Sequence, residues 1–500
     1  MELLNKMINI KTSIKKAFSV PYKIVSRSKT KFSRAINNSN DGLTLSGILK
    51  NKELRKKILF TIGIIAIYRI LAAVPLPGID VEIFTSVFGN NPLSNVFTVI
   101  TGGRLDNPSV VAIGLGAYIN ASVAMQLLQT VIPKLEELSK EGERGRKVIN
   151  QYTRLLAIPL NVIQAIVIYS VLKTSVLNYP QLSGLMANVD SLDIVTMVVA
   201  LTAGSMVLMW LSELITEYGI GNGTSIIIAI GILSIMPSLV AADFSFITSD
   251  FKLLFENGNF NVLTNEKFIL LYAVIIGVVL LVWGIVYITE ATRKIVIQYA
   301  NRVRSIQAGN SSFLPLKINQ AGVMPVIFAS ALLTFPQMIS SLMITSADKT
   351  GIIYKIGELI SNSFLNYGQS KGSLDILYYE MLYFTLIIIF SFFYTFVTFK
   401  PSETAENLKK SAGFIPGIRP GKETENHIVY IMIRLTLVGS VFLAVVAIIP
   451  SIVRLIPQGA QLNIMRGIGG TSILIVVGVI IDTIRQMKSI SVSKSYDKFR

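Results

Sequence analysis

The sequence predicts an all-α membrane protein with ten transmembrane helices. Three observations carry that prediction. The chain is 52% hydrophobic and only 15% charged, with mean hydropathy +0.59, where a soluble domain carries about 25% charged residues. The apolar residues are gathered into runs of roughly 18–24, the length that crosses a hydrocarbon layer of about 30 Å. The basic residues are unevenly divided among the connections between those runs. The alternating segments of about ten residues that mark a transmembrane barrel are not found.

The spans are expected at about 57–77, 110–132, 153–173, 194–215, 223–241, 268–289, 318–341, 376–399, 428–450 and 467–484. Ten spans place both termini on one side. That side carries 35 of the 46 lysines and arginines, the opposite side 9, and Arg69 and Arg434 fall within spans. Both termini are therefore expected in the cytoplasm, with the cell inner (plasma) membrane as the site and an organellar membrane as the alternative. The net charge of +17 is mostly this topology signal and does not imply nucleic acid.

Residues 1–50 form a basic extension ahead of the first span. The first 40 hold nine Lys/Arg and one acid, Glu2. Leu3, Leu4, Met7, Ile14 and Phe18 share one face if the segment is helical, as in a basic helix on a membrane surface. A disordered tail and a transit peptide have the same composition, and the three readings stay open. After the first span, residues 92–103 are too apolar for an ordinary exposed loop. Val96, Phe97, Val99 and Ile100 would be presented to water, and Gly102-Gly103 would break the helix that carries them. A re-entrant piece lining a cavity accounts for this, as does a helix lying at the interface.

Within the spans the polar residues are neutral: Asn120, Ser122, Gln126, Gln129, Ser330 and Thr334. The charges sit near span ends: Arg69, Glu213, Glu217, Glu290, Glu380, Arg434 and Asp482. A charge at mid-span costs about 2.5–3.5 kcal/mol on insertion scales, and coupled transporters usually keep one there. The pattern argues against proton or sodium coupling and suits a path that passes many side chains and holds none.

No catalytic or metal site is expected. There is no cysteine and a single histidine, His427, so a Cys/His zinc site has no ligands, and nothing near His427 resembles a nucleophile elbow. A phosphate-binding loop needs GxxxxGK followed by Ser or Thr. Gly417–Lys422 is too short and is followed by Glu423. The glycines of GIGNG at 219–223 fit the tightly packed start of a helix better than a phosphate cradle. No cofactor is implied.

A long connection toward the cytoplasm is KPSETAENLKKSAGFIPGIRPGKETENH, 400–427. Pro401, Pro416 and Pro420 alternate with Gly413, Gly417 and Gly421, which forbids a continuous helix through its second half. Lys409, Lys410, Arg419 and Lys422 keep it in water. A stiff basic loop of this length suits a partner.

The chain also carries PLPGID at 75–80, GAYINAS at 116–122, KEGERGRKVINQYTR at 140–154, ITEYGIGNGTS at 215–225, LPLKINQAGVMP at 314–325, AENLKKSAGFIPGIRPGK at 405–422 and GGTSILIVV at 469–477. In these motifs and their order, from about residue 43 to 487, it resembles the SecY family of protein-conducting channels. The resemblance implies two inverted pseudo-symmetric halves, 51–241 and 242–487, clasping an hourglass pore, with 488–500 as a cytosolic tail. Residues 92–103 would be the plug. A ring of aliphatics, Leu115, Ile119, Ile228, Leu332 and Ile475, would close the waist, the spacing of 115 and 119 placing two on one helix face. Such a constriction gates water and ions by dewetting. A lateral gate would run where the second and third spans meet the seventh and eighth, with Gln126, Gln129, Asn319 and Thr334 hydrating the seam or making ordinary interhelical hydrogen bonds. Arg293, Lys294, Arg302 and Arg304 in loop 290–317, with Lys409, Lys410 and Arg419, would contact a SecA-like ATPase motor or the ribosome. Small SecE-like and SecG-like membrane subunits, signal sequences, unfolded polypeptides and the lipid bilayer complete the implied partners. The chain departs from many relatives at Ala117, where they carry proline. The function implied is a non-enzymatic pore for secretory polypeptides that also releases hydrophobic segments into lipid. The rival readings are a ten-span transporter of a small solute and an ion channel.

Overall fold

The structure, a computed structural model, describes residues 52–79, 109–178, 190–234, 236–237, 241, 266–299, 312–346, 351–364, 373–454 and 470–497. The amino-terminal extension, the six plug positions from Val96 to Gly103, Arg302 and Arg304 lie outside them, as does the side chain of Thr334.

A helix lies at each of the ten expected spans. The elements run α1 (Lys52–Ala73), α2 (Gly116–Val131), α3 (Pro133–Lys140), α4 (Glu143–Asn178), α5 (Ser191–Tyr218) and α6 (Gly223–Ser234). They continue with α7 (Glu266–Glu290), β1 (Thr292–Tyr299), β2 (Ser312–Lys317), α8 (Met324–Ser346), α9 (Ile352–Phe364), α10 (Ser373–Thr398), α11 (Pro401–Lys410), β3 (Gly413–Phe414), α12 (Lys422–Arg454) and α13 (Gly470–Asp497). Among the described residues, five helical stretches are long and apolar enough to cross a membrane. Several helices outrun their apolar runs. α4 begins ten residues before the expected 153 because its first turns are basic and need no lipid. α2 begins six residues late: 109–115 is a turn with Gly114 at φ +63°. Ala117 is buried in the first turn of an unbroken α2.

The amino-terminal helices pack in sequence around one core: α1 on α5, α5 on α4, α4 on α2. Leu115, Leu208, Leu211, Ile215, Ile226 and Ile227 fill it. In the second half α8 packs on α10, α10 on α12, α12 on α13, and α13 on α7. Val326, Phe328, Ile387, Leu443 and Leu474 are in its core. Lipid tails are as apolar as leucine, so close backbone approach rather than the hydrophobic effect holds membrane helices together. The glycines permit that approach. A Cβ on Gly439 of α12 would stand 2.8 Å from the carbonyl oxygen of Ile318, and one on Gly204 of α5 would strike the backbone of Val110.

The loop expected over 290–317 is instead a β-hairpin. β1 pairs antiparallel with β2 from Thr292 opposite Lys317 to Ile297 opposite Ser312, and β3 adds to the far end of β1. The physical reason is visible in TRKIVIQY. Ile295 and Ile297 are buried, and Lys294, Val296 and Gln298 are exposed, the alternation of a strand with one covered face.

Candidate functional site

Leu115 is the residue preceding α2, and its carbonyl accepts the Ile119 N–H at 2.9 Å, so the two stand one helical turn apart. Leu115 is buried in the amino-terminal core, with Ile119 and Ile228 packed against it. Ile119 also packs against the second core, beside Leu127 and near Val123 of its own helix. The stripe 119, 123, 127 on α2 is therefore where the two cores meet. Leu332 and Ile475 are not in that amino-terminal cluster. Each interrupts a buried run. Leu332 is 38% exposed between buried Ala331 and Leu333, and Ile475 is half-buried between Leu474 and Val476.

α8 crosses from its own half to pack on both α2 and α4. The expected seam joins the second and third spans to the seventh and eighth; of the latter pair, α8 at the seventh packs on α2 and α4. Gln126 donates to Ser122 Oγ at 3.4 Å, a bond within α2 and not across the seam. Gln129 lines a polar cleft of about 500 Å³ with Arg146, Asn150, Thr398, Lys400 and Glu403, between α2, α4 and the end of α10. Asn319 is buried on the turn before α8, beside Gly439 of α12. Its neighbour is the ninth expected span, because the turn folds back against the glycine that admits it.

GIGNG forms a packed junction. Gly221 has φ +83°, and a Cβ on Gly223 would collide with the Ser212 carbonyl. Four N–H groups are taken by protein. Ile220 donates to Thr61 Oγ1 at 3.1 Å, Gly221 to Gln486 Oε1, Gly223 to Thr216 Oγ1 at 2.8 Å and Thr224 to Asn222 Oδ1 at 3.1 Å. No donor of that set is left for a phosphate. Sequence reading missed the ion pairs nearby. Arg154 of α4 grips Glu213 of α5 through two bonds, 2.8 and 2.6 Å, and Arg485 of α13 binds Glu290 and the Thr289 carbonyl of α7. Their signal was the charge left at a span end, which a partner on the next helix compensates.

The two basic loops are one body. Ile295, Ile297 and Leu316 of the hairpin share a core with Leu408, Ile415, Ile428 and Met432. On that base, Pro416 and Pro420 fix φ, Gly417 and Gly421 take φ +82° and +111°, and buried Thr424 donates its hydroxyl to the Arg419 carbonyl at 2.9 Å. The Arg419 side chain is exposed. Arg293, Lys294 and Lys409 are exposed too. Lys410 pairs with Glu406 at 2.9 Å, and that bond holds the Glu406 carboxyl below its ordinary range. Among the described residues, no carboxylate stands within ion-pair distance of Arg419 or Lys409. At the foot of the hairpin, burial and then Arg485 lower the Lys317 ammonium from its ordinary value.

The family model described as SecY matches residues 109–484. The protein translocase subunit SecY of Corynebacterium glutamicum is 37% identical over 458 residues, covering 90% of this chain and 97% of the relative. The chain belongs to the SecY family. Solved structures agree in fold. One described as a protein conducting channel superposes with TM-score 0.61 at 19% identity, covering 88% of this chain and 93% of that one. A second, Sec61 in the canine ribosome–channel complex from the endoplasmic reticulum, gives 0.57 at 19% identity with the same coverage. Membership of SecY makes this a multi-pass, non-enzymatic membrane protein. It decides between a protein channel and a small-solute transporter in favour of the channel.

Proposed function

We propose that this chain is the pore-forming subunit of a Sec translocon. It passes unfolded secretory polypeptides outward and releases hydrophobic segments sideways through the seam between α2, α4 and α8. The observation that carries the reading is the place of α2. One aliphatic stripe serves both cores, so the halves meet along apolar side chains there, while the Gly221 N–H joins them away from the stripe by donating to Gln486 Oε1. An apolar contact of this kind closes to ions by dewetting. Leu115, Ile119, Ile228, Leu332 and Ile475 form the waist, residues 92–103 the plug, and Gln126, Gln129, Asn319 and Thr334 belong to the lateral gate or its supports.

The fused hairpin and 400–421 loop form the platform for a cytosolic partner, a SecA-like motor or a ribosome, engaged by Arg293, Lys294, Arg302, Arg304, Lys409, Lys410 and Arg419. The excess of basic residues on this side supports a cell inner-membrane topology with cytoplasmic termini. Small SecE-like and SecG-like subunits complete the complex. The test is reconstitution of that complex in vesicles with an ATPase motor and an unfolded preprotein. ATP-dependent protection of the preprotein from external protease is expected. Saturable uptake of a small solute without any protection would overturn the proposal.

A further inference from the structure

α9 follows α8 in the chain and presents an apolar face. Ile352, Ile353, Ile356 and Leu359 are 77%, 57%, 43% and 68% exposed. At about 100° per residue these four occupy one arc of roughly 120°. Exposed Lys355 lies outside that arc, and Gly357, buried, is the edge that docks. Four such side chains in water would form an apolar patch of the kind that marks an interaction surface.

The docking edge fixes the depth. Buried Ser340 of α8 donates its hydroxyl to the Gly357 carbonyl at 2.9 Å. α8 begins at Met324, beside the hairpin platform, and runs 23 residues, or about 34 Å. Ser340 is sixteen residues along, about 24 Å from that end. The hydrocarbon layer is about 30 Å thick, so an α8 that enters it at Met324 and runs along the membrane normal sets Gly357 level with the acyl region of the leaflet opposite the platform. Ile339, next to Ser340, is 52% exposed at the same level, which makes the face of α9 continuous with the lipid-facing side of α8.

We infer that α9 is an interfacial helix seated in the leaflet opposite the platform, with Ile352, Ile353 and Ile356 in acyl chains and Lys355 reaching to headgroups. The occupant of the face is lipid. Amphipathic helices bind interfaces in this way, and a lysine stem spans the boundary at little cost. Because α9 is fastened to α8, it anchors the far end of the helix that packs on α2 and α4.

The cysteine-free chain gives a clean test in the assembled complex in vesicles. Ile352→Cys, Ile353→Cys, Ile356→Cys and, for contrast, Lys355→Cys would each be labelled with a solvatochromic maleimide. Bilayers would carry lipids with nitroxide on the acyl chain. Blue-shifted emission and strong quenching are expected at 352, 353 and 356, with quenching several-fold weaker at 355. Water-like emission at the three isoleucine positions, with full reaction toward an impermeant maleimide, would overturn the inference. Blue-shifted emission without quenching would overturn it as well, since the face would then be covered by protein. The positions are exposed, so the substitutions disturb no core, and agreement among three sites separates a local fault from a wrong assignment.

Discussion

Reversing the charge at Arg419 separates docking from folding. The side chain is exposed, and among the described residues no carboxylate pairs with it, so its loss leaves no orphaned partner in the chain. Exposed substitutions of that kind change stability by about 0.5 kcal/mol or less. The backbone is held independently, by Pro416, Pro420 and the bond from Thr424 to the Arg419 carbonyl, and Glu does not alter that bond. At an interface, truncating one partner of a buried, hydrogen-bonded charge pair costs about 2–5 kcal/mol. At about 1.4 kcal/mol per tenfold, motor affinity should fall roughly 30-fold to several-thousand-fold. Arg419→Glu should therefore assemble normally, melt at the parent's temperature and keep resting vesicles tight, while ATP-driven translocation is abolished. Arg419→Lys should retain partial activity, because a lysine keeps the charge and loses the planar fork. The assay is preprotein protection in proteoliposomes beside a direct motor-binding titration. Parent-like translocation by the Glu variant would refute the role of Arg419, and unchanged binding with lost transport would move that role from docking to a later step.

Changing Ile119 and Ile228 together to Gly should widen the waist and raise the resting ion flux of vesicles, whereas Thr385→Val on the exposed face of α10 should not. A folded double variant with parental conductance would place the constriction elsewhere. Thr61→Val keeps shape but removes the acceptor for the Ile220 N–H and the donor to the Lys57 carbonyl. With Ile220 only 3% exposed, this should cost about 1–3 kcal/mol, read as a lower melting temperature in detergent. An unshifted melt would mean that another acceptor takes the Ile220 N–H.

Much of the architecture was legible in the chain because lipid enforces it. A crossing segment must satisfy its own backbone, so apolar runs became helices at all ten expected positions. The ends were less legible. A helix continues past the lipid wherever its polar turns tolerate it, as the basic start of α4 does, and it starts late where a glycine turn is needed, as before α2. In the loop 400–427 the prolines and glycines announced that no continuous helix would run through the second half, and residues 411–421 separate α11 from α12. The hairpin was written in the alternation of Thr292–Tyr299, a short signal beside long apolar runs. The residues proposed for the gate were least legible. Gln126 bonds within its own helix, and Asn319 sits against the ninth span, because a neutral polar side chain carries no sequence mark of which neighbour it meets.

The sequence by itself determined the class of protein and the places of its helices, since both follow from the cost of putting polar groups into hydrocarbon. Only the tertiary structure decided which surfaces meet. It joined two loops more than eighty residues apart in sequence through one buried core, set α2 between the halves, and fastened α9 to α8 through the bond from Ser340 to the Gly357 carbonyl. Those outcomes depend on shape and on glycine-sized gaps between helices. Packing in lipid has no hydrophobic gradient to steer it, so the contact partners appear only when the chain is folded.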